Sequence, residues 1–225
     1  AGDAVTMSLN LGYWVGSAIF AALFALAVTA QIRAPRFRPW LFWGVIIATT
    51  TFGTTLADLL DRSLGIGYAG GVSVLLVLLF GTLAIWRRVE GTVSMHAINS
   101  RQAEIFYWLT VMLSQTLGTA LGDWMSDTRG LGYEGGALVF LASLGIVALA
   151  YYRTRISHTV LFWAAFILTR PLGATLGDLL DKPHAQGGLA LNRFLASAAL
   201  AGAILLYLLL VPQRAEQRRI SQPST

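Results

Sequence analysis

Asp58, Asp123 and Asp178 are the residues in this chain best suited to chemistry, because each closes the same run. That run is hydroxyl, Gly, small residue, Asp, read as Thr49–Gly53–Ala57–Asp58, Ser114–Gly118–Gly122–Asp123 and Thr169–Gly173–Gly177–Asp178. A second carboxylate follows three or four residues later, at Asp61, Asp127 and Asp181, a spacing that shares one helix face. Carboxylate, hydroxyl and carbonyl oxygens suit hard ions such as Mg²⁺, Mn²⁺ or Ca²⁺, and acidic rings select cations in pores. Asp58, Asp123 and Asp178 are thus candidate ligands or proton carriers, with Asp3 a remnant fourth. Asp61, Asp127 and Asp181 would form an outer collecting ring. An Asp beside a Gly-rich turn also serves local hydrogen bonding, and both readings stay open.

A second group lies about two turns earlier. Eight residues before the motif Asp stand Thr50, Gln115 and Arg170, the last followed by Pro171. An arginine this far into an apolar helix needs an anionic or carbonyl partner. Two readings fit: a buried salt bridge between repeats, or a charge facing an anionic solute. Pro171 removes a backbone donor, which predicts a kink and a freed carbonyl.

These positions belong to an internal repeat. GTALGDWMSDTRGLGYEGG (Gly118 to Gly136) recurs as GTTLADLLDRSLGIGYAGG around Asp58 and as GATLGDLLDKPHAQGG around Asp178. A cut-off copy opens the chain at Gly2-Asp3. The offset from Asp to Tyr is ten at Asp3–Tyr13, Asp58–Tyr68 and Asp123–Tyr133. Trp43, Trp108 and Trp163 stand fifteen residues before their Asp, near the start of each first helix, where the headgroup level suits them. Fifteen residues at the helical rise put the Asp roughly 22 Å further along. The small residues four apart, including Gly53, Gly118, Gly122, Gly173 and Gly177, form a stripe that lets helices approach closely. Tyr107, Tyr151, Tyr152 and Trp86 read as interfacial anchors at span ends.

Composition sets the solvent. Of 225 residues 56% are hydrophobic and only 12% charged, against about 25% charged in a soluble domain. Mean hydropathy is +0.64. Apolar runs at 11–31, 40–60, 67–86, 105–126, 133–152, 159–180 and 189–211 approach or exceed the roughly 20 residues a bilayer requires. The expected fold is an all-α polytopic membrane bundle, seven spans visible and eight expected. Its tandem parallel two-helix repeats would be related by pseudo-rotation about the membrane normal. The whole chain, 1–225, reads as one transmembrane domain. Its repeats are 1–34 (truncated), 35–91, 92–155 and 156–212, followed by a tail over 213–225. Every complete copy has a Trp-bearing helix upstream of its Asp, so an additional helix is expected before Gly2-Asp3. Residues 1–10 lack the basic start of a signal peptide.

Charge orients the chain. Arg33, Arg36 and Arg38, then Arg87, Arg88 and Arg101, then Arg153 and Arg155 join one repeat to the next, and Arg214, Arg218 and Arg219 lie in the tail. The hairpin tips carry the motif acids, with Glu134, against Arg62, Arg129, Lys182 and Arg193. Basic excess marks the cytoplasmic side. The repeat-joining loops and C-terminus are expected inside a bacterial inner membrane, and the Asp-bearing tips outside.

Several chemistries fall away. With no cysteine, disulfides, thiolate metal sites and cysteine nucleophiles are excluded. His96, His158 and His184 lack metal-ligand spacing. The only lysine, Lys182, lies in a loop, which argues against a retinal Schiff base. No Ser–His pair, phosphate loop or dinucleotide fingerprint is present, and no enzyme is expected. Arginines in short loops between spans do not indicate nucleic acid.

FYWLTVMLSQTLGTALGD (Phe106 to Asp123) and FWAAFILTRPLGATLGDLLDKP (Phe162 to Pro183) resemble the bacterial uncharacterised membrane-anchored proteins, a family defined by a repeat of unknown function normally in four copies. The resemblance spans essentially the whole chain. It implies the helical fold and no particular activity. The chain departs in lacking the first half of repeat one, where family members continue into Gly-Glu before the Asp.

Three functions follow as expectations. One is a transporter or channel for a small hard cation, with Mg²⁺, Mn²⁺ or Ca²⁺ as substrate at the repeated Asp. A second is a carrier of a small organic or anionic solute, with Arg170 as the binding charge and Gln115 and Thr50 beside it. The third is a non-transport accessory subunit that docks a partner membrane chain, or a further copy of itself, through its small-residue faces.

Overall fold

The computed structural model describes residues 12–34, 36, 38–63, 65–94, 98, 100–128, 130–191 and 193–211. Among them the chain is all helical. The helices are α1 (Gly12–Arg33), α2 (Pro39–Asp58), α3 (Gly67–Glu90), α4 (Arg101–Asp123), α5 (Gly132–Arg153), α6 (His158–Asp181) and α7 (Arg193–Leu210). Local signals set their ends. Pro39 opens α2 after extended Arg38, a place where its missing N–H costs nothing. Ser100 caps α4 by accepting the Ala103 N–H at 2.9 Å, and Gly91 in the left-handed region closes α3.

The two complete inner hairpins are built alike. Just after the motif Asp, α2 and α4 widen into single π-helical turns, Leu59–Ser63 and Trp124–Thr128. A Gly-x-Gly turn then starts the return helix, with φ of 65° at both Gly67 and Gly132. An L-residue there meets its own carbonyl, so Gly132→Ala is expected to cost roughly 1 kcal/mol, read as a lower melting temperature in detergent. The last hairpin differs. Lys182-Pro183 ends α6, and Leu189 and Leu191 donate N–H groups to Leu179 and Leu180 carbonyls at 2.7 and 2.8 Å, satisfying the exposed end of the helix.

α4 is the centre. It packs against α2, α3 and α6, while α1 lies on α2 and α5 on α6. Thirteen α4 residues are buried but only four of α6. Five helices are long and apolar enough to cross a membrane by length and composition, and α4 is not among them. Its central place explains this, since its hydroxyls and Gln115 are sheltered by neighbouring helices.

The interior is mixed and the exterior apolar. Thr49, Thr55, Thr110, Ser114 and Thr116 are fully buried, whereas Val77, Ile146, Leu138 and Leu209 are largely exposed. One apolar cluster joins α2, α3 and α4 through Ala57, Val72, Leu75, Leu79, Leu113 and Leu117. Another gathers Val45, Trp86, Tyr107, Trp108, Val111 and Trp163. Trp86, Tyr107, Trp108 and Trp163, expected at the membrane interface, are thus packed inside the bundle. Trp86 meets Trp163 edge-on at 5.8 Å, and Phe42 meets Trp108 at 5.6 Å. Large flat rings give the area needed to join successive repeats. Tyr151 and Tyr152 do lie on the surface.

Candidate functional site

The first helices of successive repeats meet at one repeated contact. A Cβ on Gly53 of α2 would lie 3.0 Å from the Gln115 Cβ and 3.0 Å from the Thr116 nitrogen. On α4, a Cβ at Gly118 would collide with the Arg170 Cβ and lie 3.0 Å from the Pro171 nitrogen. The glycine five residues before one Asp thus receives the residue eight before the next. Gly122 makes a further approach, to Ala174 at 3.1 Å. The same packing was expected of Gly173 and Gly177, yet a Cβ on either would meet no neighbouring helix within 4 Å. No described helix follows α6 in that direction.

These contacts set Gln115 against Thr50 and seat Arg170 against Gly118, three residues further along α4. Gln115 Nε2 donates to Thr50 Oγ1 at 2.8 Å, and Thr50 Oγ1 donates to the Ile46 carbonyl at 2.9 Å. Arg170 sits midway along α6 with its guanidinium over the Phe166 ring, 4.3 Å from the centroid. Among the described residues it meets no carboxylate, and its buried Nε has no hydrogen-bond partner. Of the two readings of Arg170, the buried salt bridge is therefore not made among the described residues. Its backbone fits against Gly118 on a helix whose facing residues are apolar or neutral. Ser114, fully buried one residue before Gln115, also has an unpartnered hydroxyl. α6 runs unbroken through Pro171. Thr175 Oγ1 donates to the Pro171 and Leu172 carbonyls at 3.0 Å each, while the carbonyl that Pro171 cannot serve is that of Ile167.

The carboxylates take a different arrangement from the one expected. Asp58 is buried at the end of α2, and Asp123 is partly buried at the end of α4. Asp178 pairs with Lys182, whose Nζ lies 3.6 Å from Oδ1. Asp61 does not stand on an outer ring. It is buried with its carboxylate against Gly71 of α3. The equivalent residue of the next repeat is buried Ser126, whose Oγ would lie 3.3 Å from a Cβ on Gly136. An offset of three, not four, carries this role, a signal already legible in Asp58–Asp61 and Asp123–Ser126. Asp181 is partly buried, while Asp3 and the side chain of Asp127 lie outside the described residues. Among those described, no three His, Cys, Asp or Glu side chains come together to hold a metal ion. Asp58, Asp123 and Asp178 therefore do not form a common cluster of that kind among the described residues. Each Asp ends its own helix or pairs within its own hairpin.

A crevice of about 620 Å³ opens between α3 and α6 near the tryptophan end, with Arg87, Thr92, Ser157 and Trp163 among its lining residues. Neither Gln115 nor Arg170 lines it.

The geometry defines a class: an all-helical chain of tandem two-helix units whose polar residues are buried between helices. The chain belongs to the family described as Repeat of Unknown Function (DUF347), whose model matches residues 1–37, 41–92, 106–157 and 161–215. No curated protein and no solved structure matches it.

Proposed function

We propose that this chain is a polytopic membrane protein that carries a small anionic solute, with Arg170 as the binding charge and Gln115 and Thr50 as hydrogen-bonding neighbours. The observation that carries this reading is Arg170 itself, midway along an apolar helix with no carboxylate among the described residues. A guanidinium held there is expensive unless an anion meets it, and its fork suits carboxylate or phosphate oxygens. The apolar exterior supports a bilayer setting, as do the five spanning-length helices. Arginines close α1, α3 and α5 at the end away from the Asp hairpins. This supports parallel repeats about the membrane normal, with the repeat-joining loops on the cytoplasmic side of the inner membrane.

The test is uptake into proteoliposomes, using inorganic phosphate and short mono- and dicarboxylates beside Mg²⁺, Mn²⁺, Ca²⁺ and protons. Arg170→Gln is expected to cut uptake of the transported anion on the order of 100-fold, as loss of a desolvated charge contact would, with its melting temperature retained. Asp123→Asn combined with Asp178→Asn is expected to leave anion uptake standing. Divalent flux that survives Arg170→Gln but disappears in the Asp double variant would replace this reading with the hard-cation one. Absence of uptake for every solute would leave the accessory-subunit reading.

A further inference from the structure

The crevice between α3 and α6 lies apart from Gln115 and Arg170, and comparison of the repeats shows what opens it. In the preceding unit α1 lies on α2 and also reaches α4, with Val28 and Ile32 packed against the aromatic cluster. One repeat on, α3 lies on α4, but the space between α3 and α6 stays open to about 620 Å³. Two differences in sequence accompany the opening. Ile32 stands nineteen residues after Tyr13, and the residue nineteen after Tyr68 is Arg87. Leu109 stands fourteen before Asp123, and the residue fourteen before Asp178 is Ala164. A packed isoleucine has given way to a charge at the mouth, and a leucine to a smaller side chain within.

The lining has two parts. Where α3 ends and α6 begins stand Arg87, Thr92 and Ser157. No carboxylate is among the lining residues, and Arg87 makes no ion pair among the described residues. Ser157 precedes α6 without a side-chain cap, so it leaves the first-turn amides for another acceptor. Towards the middle of both helices the lining is apolar, with Phe80, Leu83, Ala164, Ile167 and Leu168. Phe80 and Val160, largely exposed, continue it onto the apolar exterior.

We propose that this crevice holds an acyl chain of an anionic phospholipid whose phosphate meets Arg87 at the mouth. Basic recesses between helices on the cytoplasmic side suit anionic head groups, and the guanidinium fork matches phosphate oxygens. The volume lies in the range of sites for organic ligands. A bare anion would leave the apolar depth unfilled, and a zwitterionic lipid would bring its own cation beside Arg87. The inference rests on the bilayer setting and sidedness proposed for the chain, not on the solute carried at Arg170.

The test titrates delipidated protein in detergent with short-chain phosphatidylglycerol, phosphatidylcholine of the same chains, and glycerol 3-phosphate, reading binding as a rise in melting temperature. Phosphatidylglycerol is expected to bind about fivefold more tightly than phosphatidylcholine, as one basic residue at a membrane surface would give. Glycerol 3-phosphate is expected to bind far more weakly than either. Arg87→Gln should abolish the preference and Arg88→Gln should keep it. Both side chains are exposed, so neither change threatens the fold. Ala164→Phe, which narrows the crevice, should weaken both lipids. Equal binding of the two lipids, equal effects at Arg87 and Arg88, lipid binding untouched by Ala164→Phe, or glycerol 3-phosphate binding as tightly as the lipid would each overturn the site. The two proposals fail separately. Solute uptake without a lipid preference overturns this one alone, and a lipid preference without uptake overturns only the carrier reading. A chain that stays soluble without detergent overturns the bilayer setting of both.

Discussion

Gly118→Ala is expected to destabilise the purified protein by about 3 kcal/mol, the upper end of the range for overpacking a tight interior, and Gly118→Leu to prevent folding. The added Cβ would meet not a flexible side-chain tip but the Arg170 Cβ, the Arg170 carbonyl carbon at 2.9 Å and the Pro171 nitrogen at 3.0 Å. Backbone of a packed helix cannot retreat without moving α6 from α4, and the polar contacts of both helices would shift with it. The comparison is Gly173→Ala. It occupies the same place in its repeat, has open space around it, and is expected to be neutral or slightly stabilising through helix propensity. Thermal unfolding in a mild detergent reads both. Equal losses at the two glycines would show that backbone flexibility, not close approach, explains the stripe.

Trp163→Ala is expected to cost about 3–5 kcal/mol, as truncation of a buried aromatic does. The ring is almost fully buried, meets Trp86 at 5.8 Å and Phe166 at 5.4 Å, and donates Nε1–H to the Val93 carbonyl at 2.9 Å. It therefore ties α6 to both α3 and the loop that leaves it. Trp163→Phe separates the two contributions. It keeps most of the apolar area but leaves the Val93 carbonyl without this donor, for an expected loss of about 1–2 kcal/mol. Trp40, which is 59% exposed, supplies the control, and Trp40→Ala should change stability by no more than about 0.5 kcal/mol. If Trp163→Ala behaved like Trp40→Ala, the aromatic cluster would not be what joins the repeats.

The helices and hairpins were legible in the amino-acid sequence because their causes are local. Apolar runs, Pro39 at a helix start, Ser100 at a cap and the Gly-x-Gly turns at residues 65–67 and 130–132 act within a few residues. The fixed offsets of Trp, Gly and Asp also exposed the repeat directly. They even identified Thr50, Gln115 and Arg170 as equivalent positions, which the structure then places at successive helix contacts. What the offsets could not show is which face of one repeat meets the next, since that depends on packing between residues some 55 to 65 apart. Only the tertiary structure buried Trp108 and Trp163, folded Asp61 back against Gly71, and left the Asp residues of separate hairpins without a common metal cluster among the described residues. Among the described residues it also gave Arg170 no carboxylate partner, so the salt bridge, one of the two readings of that charge, is not made there. A carboxylate elsewhere in the repeat neutralises that charge only if the fold brings it within a few ångströms, and α6 packs so that apolar and neutral groups face the guanidinium instead. Local chemistry thus determined the elements and their repetition, while the choice of neighbours, and with it the electrostatics of the site, came from the packing of one repeat on the next.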